Sequence, residues 1–166
     1  AVTVDGSIVG WGCAIPHNFG QCTVPAPNNG FITVAAGYQH SLGLKADGSI
    51  VSWGCGDTFL NFGQCNVPAP NTNFVAIAAG YHHSLGLKAD GSVVAWGADY
   101  NGQTNVPAPN TGFMAVAAGG RHGLGLKLDG SMVAWGCNNP FDRAGQCNFR
   151  APQADRRRIT GPLRPQ

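Results

Sequence analysis

Trp-Gly occurs four times in this chain, at Trp11, Trp53, Trp96 and Trp135, and Asp-Gly-Ser stands six residues before each copy, at Asp5, Asp47, Asp90 and Asp129. The steps between copies are 42, 43 and 39 residues. Gly-Gln recurs at Gly20, Gly63, Gly102 and Gly145, and Ala-Ala-Gly begins at Ala35, Ala78 and Ala117. Self-similarity at a period of about 40 residues constrains the fold more than any other feature, because so short a unit must stack on copies of itself to bury its apolar face.

One unit reads FVAIAAG, YH, HSLGLKA, DGS, VVAWG, a variable loop, GQTNVP and the linker APNTG. This spacing predicts four short strands. The Asp-Gly pair between the second and third is a hairpin signal, since glycine tolerates the positive φ such turns require. The VPAPN linker ends the fourth strand, because proline cannot donate to a ladder. Composition agrees: 25 glycines, no glutamate and only 11% charged residues leave few strong helix formers. The fold class is therefore all-β, a β-propeller of four-stranded antiparallel blades, with about three and a half blades in the chain. The array covers residues 1–153, with an incomplete blade in 1–30 and full blades in 31–73, 74–112 and 113–153. The small Ala-Ala-Gly residues suit the crowded strand nearest the axis. The repeated Trp, further out, is expected to fill the wedge between blades rather than to hold a ligand.

AAGYHHSLGLKADGSVVAWG followed by NGQTNVPAPNTGF resembles the regulator of chromosome condensation repeat family. The short unit and the GQTNVPAP segment look most like its secreted bacterial branch, which includes a propeller-type proteinaceous β-lactamase inhibitor. The resemblance covers residues 1 to about 153 and implies a propeller. The chain departs from the pattern at both ends. Aligning Trp11 with Trp53 sets Ala1 opposite Gly43, so the first unit lacks its inner strand. With no initiator Met and no signal peptide, the chain is expected to be a processed form or part of something longer. After FRAPQ the repeat predicts an apolar inner strand, but ADRRRITGPLRPQ follows, and residues 154–166 are read as a basic, disordered tail. The array is then a fragment, an open arc, or half of a ring completed by self-association.

Cysteines arrive and leave in pairs. Cys13 and Cys22, Cys55 and Cys65, and Cys137 and Cys147 each bracket the loop between third and fourth strands, whereas the third unit has Ala98 and Thr104 instead. Joint loss is what direct partnership predicts. A closed zinc site wants four ligands where each blade offers two, with His17 a third only in the first unit, so no metal is expected. Three disulfides place the chain outside the cytoplasm, in a periplasm, on a cell surface or in secretion. The shorter loop around Asn101-Gly102 is expected to hold without a staple.

Strand parity separates two ends of the array. One gathers the monotonous Asp-Gly-Ser turns and PAPN linkers. The other gathers what varies: the turns Tyr38-Gln39, Tyr81-His82 and Gly120-Arg121, and the loop residues Phe19, Phe59, Phe62, Asp99, Tyr100, Phe141 and Arg143. Holding one end constant while changing the other is the mark of a binding surface on a frame, and aromatics and Arg are what interface hot spots favour. The alternative is that the loops drift and the rings pack over the disulfides. In the inhibitor branch this end grips the partner through aromatics, which implies that role for Tyr38, Tyr81 and Tyr100.

Catalytic chemistry is not expected. His40, His83 and His122 occupy one copied position, which suggests structural hydrogen bonding. His40-Ser41 and His83-Ser84 are adjacent on a strand, so their side chains point to opposite faces. Without glutamate, carboxylate pairs could come only from Asp57, Asp99 and Asp142 in separate loops, and no phosphate-binding glycine motif or cofactor signature appears. Residues 1–149 carry three Lys, two Arg and seven Asp, so nucleic acid is not an expected partner of the body; residues 150–166 carry five Arg and one Asp. No apolar run reaches the roughly 18 residues of a membrane helix. The sequence thus reads as a non-enzymatic protein-binding module, inhibitor-like or adhesion-like. The alternative is a structural repeat segment of a larger bacterial surface protein. Guanine-nucleotide exchange or chromatin docking is a further reading, and the cysteine pairs argue against it.

Overall fold

The computed structural model describes residues 1–13, 18–56, 59–137 and 147–148. Its nine strands fall into three antiparallel sheets of identical order. The first holds β1 (Phe31–Ala36), β2 (Ser41–Lys45) and β3 (Ile50–Trp53); the second β4 (Phe74–Ala79), β5 (His83–Lys88) and β6 (Val93–Gly97); the third β7 (Phe113–Ala118), β8 (Gly123–Lys127) and β9 (Met132–Trp135). Register repeats as well: Gly43 lies opposite Val34 and Val51, Gly86 opposite Ile77 and Val94, and Gly125 opposite Val116 and Val133. The Asp-Gly-Ser turns are built alike. In the first blade, Asp47 Oδ1 accepts the Ser49 N–H at 2.9 Å and its hydroxyl at 2.6 Å, and Gly48 between them takes φ 79°. Those bonds hold the Asp47, Asp90 and Asp129 carboxyls below the usual range, led by the serine hydroxyl in each case.

The blades have three strands among the described residues, not the four that the sequence predicts. The segments after Gly63 and Gly102 are bonded as turns, by Asn66 N–H to Gly63 O and Asn105 N–H to Gly102 O, and run into Val-Pro-Ala-Pro. Two prolines in four residues remove two ladder donors. A linker asparagine takes over: the Asn71 side chain accepts the Ile50 N–H and donates to the Ile50 carbonyl, both at 2.8 Å. Asn110 does the same to Val93, and Asn28 to Ile8.

Each core lies between neighbouring units. Leu42, Leu44 and Ile50 of the first sheet meet Phe74 and Trp96 of the second; Leu85, Leu87 and Val93 of the second meet Phe113 and Trp135 of the third. Ile8 of the first unit meets Phe31 and Trp53. The rings fill the inter-blade wedge as their position in the repeat predicts, and each is worth roughly 1.5–3 kcal/mol of burial. Trp53, Trp96 and Trp135 are 8%, 5% and 4% exposed, whereas Trp11 is 70% exposed. In the first unit the described pairing is a single antiparallel bridge, Val2 to Ile8.

Candidate functional site

The variable loops are anchored by invariant residues. In the three described Gly-Gln pairs, the glutamine side chain folds back to accept a main-chain N–H two residues earlier, from Phe19 to Gln21 at 2.6 Å, Phe62 to Gln64 at 2.7 Å and Asn101 to Gln103 at 2.8 Å. Its carbonyl then accepts the indole N–H of the next unit's tryptophan: Trp53 to Gln21, Trp96 to Gln64 and Trp135 to Gln103, at 2.8–2.9 Å. Ser41 and Ser84 add a hydroxyl to the first two of these carbonyls. The sequence did not single out these glutamines and serines as load points, although the copying of Gly-Gln in every unit was an available signal. Disulfides join Cys13–Cys22, Cys55–Cys65 and Cys137–Cys147, with Cα atoms 6.1–6.2 Å apart, within ordinary disulfide geometry. Where the pair is missing, Asp99 Oδ1 accepts the Thr104 N–H at 2.8 Å and closes the shorter loop.

The turns between first and second strands are stitched across blades. Tyr38 N–H donates to Gly80 O and Tyr81 N–H to Gly120 O, at 3.2 and 3.0 Å. That brings one turn beside the next and both beside the loops. Tyr38 and Tyr81 rings sit 5.3 Å apart; Phe62 lies 5.2 Å from the His82 ring and 5.5 Å from Tyr100, and His82 Nδ1 meets the Tyr100 hydroxyl at 3.1 Å. Tyr38 is also edge-on to His82 at 6.0 Å. The result is one continuous aromatic surface across two blades, with Tyr38, Tyr81, Tyr100 and Phe62 exposed by 58%, 51%, 57% and 40%. Arg121 is exposed at its border. Burial, and then the Arg121 charge, hold the His82 imidazole below its ordinary range, while burial raises the Tyr100 phenol.

The other sequence candidates are placed unevenly. Phe59 is 89% exposed on its loop, Asp99 is exposed and Phe19 is half-buried. Gln39 is 5% exposed, so its side chain faces inward rather than outward. Phe141, Arg143 and the tail 154–166 lie outside the described residues.

His40 and His83 are fully buried under the turns, and burial pushes each down to about 4. His40 Nε2 meets Ser84 Oγ at 2.9 Å, a contact between blades. Ser84 donates its own hydroxyl to Gln64 O, which leaves His40 Nε2–H as the donor to it. The corresponding position facing His83 is Gly123, which has no hydroxyl, and neither ring nitrogen of His83 makes a side-chain hydrogen bond. A side-chain partner is therefore seen at His40 and not at His83, where the His122 backbone is the neighbour that works against the lowering by burial. No group of three metal-ligating side chains occurs among the described residues, and no described helix is long and apolar enough to cross a membrane.

Comparison with solved structures returns propellers. Prp20p from Saccharomyces cerevisiae, reported with its binding properties to Gsp1p and histones, aligns with TM-score 0.63 at 23% identity over 79% of this chain and 41% of its own. The entire ectodomain of the Physcomitrella patens receptor kinase CR4 aligns at 0.60 and 27% over 72% of this chain and 33% of its own. Yeast RCC1 (Prp20) with Kap60 bound gives 0.53 and 28% over 68% and 33%. The chain thus spans at most about two fifths of the length of these structures. Among curated protein sequences, none matches it. The model of the regulator of chromosome condensation (RCC1) repeat matches residues 31–64, 74–103 and 115–140, just over half of the chain. With the sheets, the wedge-filling tryptophans and the copied turns already described, this match places the chain in the RCC1 repeat family.

Proposed function

We propose that this chain is a non-enzymatic, extracytoplasmic protein-binding segment of the RCC1-repeat type, inhibitor-like or adhesion-like, and that it engages its partner through the aromatic end. The observation that carries the reading is the exposed cluster of Tyr38, Tyr81, Phe62 and Tyr100 around the half-buried His82. Rings of this size offer large contact area at low entropic cost, and their exposure in a continuous group is unusual unless something covers them. Three disulfides support an oxidising compartment, and the CR4 match is to an ectodomain. The yeast RCC1 match is to a structure with another protein, Kap60, bound. The test is retention of envelope and culture-fluid proteins from the source cells on immobilised chain. A protein held by the native chain and lost from a combined Tyr38→Ala, Tyr81→Ala, Tyr100→Ala variant of unchanged circular dichroism supports the reading; identical retained sets overturn it.

A further inference from the structure

Within that face, the row of turn tyrosines stops. Tyr38 and Tyr81 hold one repeat position, and Gly120 holds the next. Tyr81 leans onto Gly120, whose added Cβ would lie 3.1 Å from the Tyr81 ring. Tyr81 meets the rings of Tyr38 and His82, at 5.3 and 6.5 Å, and the turn at Gly120 adds no tyrosine to the row. Beside it is a depression of about 300 Å³, walled by Tyr38 and Tyr81 and floored by Ala36, Ala79, Ala118 and the glycines of the three turns.

Most polar groups of this floor are already used. Gly37, Gly80 and Gly119 donate their N–H groups to the carbonyls of His40, His83 and His122, and the Gly80 and Gly120 carbonyls accept from Tyr38 and Tyr81. Among the turn glycines only the Gly120 N–H is without a main-chain acceptor, too little to make the glycine-rich floor an anion nest. An apolar side chain covers few open polar groups there and gains two ring faces. At the rim stands Arg121, in the position held by Gln39 and His82 in the other turns. It is exposed and forms no ion pair with a described carboxylate, and its charge is felt at both His82 and Tyr100.

We propose that the depression at Gly120 receives an aromatic side chain of the partner protein, which continues the Tyr38–Tyr81 row, and that a carboxylate adjacent to that side chain pairs with Arg121. The proposal rests on the protein-binding reading and specifies the chemistry of the segment bound. An exposed Arg with no ion pair to a described carboxylate, beside an aromatic wall, selects an acidic neighbour through electrostatic complementarity, while the ring supplies the buried anchor typical of a hot spot.

The test is panning of a random phage-displayed peptide library on the immobilised native chain. Enriched peptides should carry Trp, Tyr or Phe next to Asp or Glu. Gly120→Tyr, which fills the depression, should weaken them about tenfold or more, as loss of a central anchor does. Because that variant could disturb the turn, Arg121→Glu serves as the second: the residue is exposed, and panning on it should exchange Asp and Glu for Lys and Arg beside the same aromatic. Binders that keep their affinity for both variants but lose it on Phe62→Ala or Tyr100→Ala would overturn the Gly120 site and leave the protein-binding face standing. Enrichment only of peptides that ignore all four substitutions would overturn both.

Discussion

A single indole nitrogen ties each blade to its neighbour. Trp96 Nε1 donates to Gln64 O in a buried bond of 2.9 Å. Trp96→Phe keeps most of the ring and leaves the Gln64 carbonyl with Ser84 alone, so unfolding in urea should show a loss of about 1–3 kcal/mol. Trp11→Phe, at a position 70% exposed, should cost far less. The buried histidines give a pH dependence of fixed sign. Both pKa values fall from 6.5 unfolded to about 4 folded, so the unfolded chain binds more protons between those limits. The stability they confer is complete above pH 6.5 and is lost as pH falls toward 4, by about 1–2 kcal/mol per histidine between pH 7 and 5. Denaturant midpoints across that range should decline, and His40→Asn should flatten the decline; an unchanged slope would contradict the assignment. The repeat identified these histidines as copied structural groups, but the partner of His40 was invisible in sequence. His40-Ser41 adjacency says only that those two side chains diverge; Ser84 comes from the next blade, and that step is a matter of packing.

Among elements, the fourth strand was the clearest misreading and has a local cause. GQTNVP looks strand-like because its length and position fit a blade, but proline removes the donors and an asparagine amide supplies the missing pair. Asn71→Ala should leave the Ile50 N–H and C=O unmatched and cost about 1–3 kcal/mol, measurable by thermal or chemical unfolding. The loops, by contrast, were legible. The joint loss of Cys at Ala98 and Thr104 marked a staple, and the Asp99–Thr104 bond shows what holds the loop that lacks it. Replacing Cys55 and Cys65 with Ser should lower stability by about 2–3 kcal/mol in the chain-entropy account. Reductant should then raise amide exchange in the 55–65 loop of the native protein and leave the 98–104 loop unchanged.

For the molecule, stability is close to a sum over junctions, since each core cluster spans two units. Gly80 sits at such a junction: an added Cβ would lie 2.2 Å from the His83 ring and 2.7 Å from Gly119 O, in backbone and ring that cannot retreat. Gly80→Ala should therefore melt the second and third blades together, read as loss of exchange protection in both, with the first less affected. The period of the repeat made this architecture readable, and strand parity located the varied end. The stop in the tyrosine row at Gly120 was in the sequence too, but its meaning depends on Tyr81 leaning forward by one blade. The glutamine anchors carry a further consequence. Because each of the three loops with a described glutamine leaves from the same tryptophan and returns to the same folded-back side chain, its interior can be rewritten without informing the rest of the chain. Such a scaffold acquires new specificities by cassette exchange, one loop at a time, and a loop moved from one blade to another would arrive already correctly aimed.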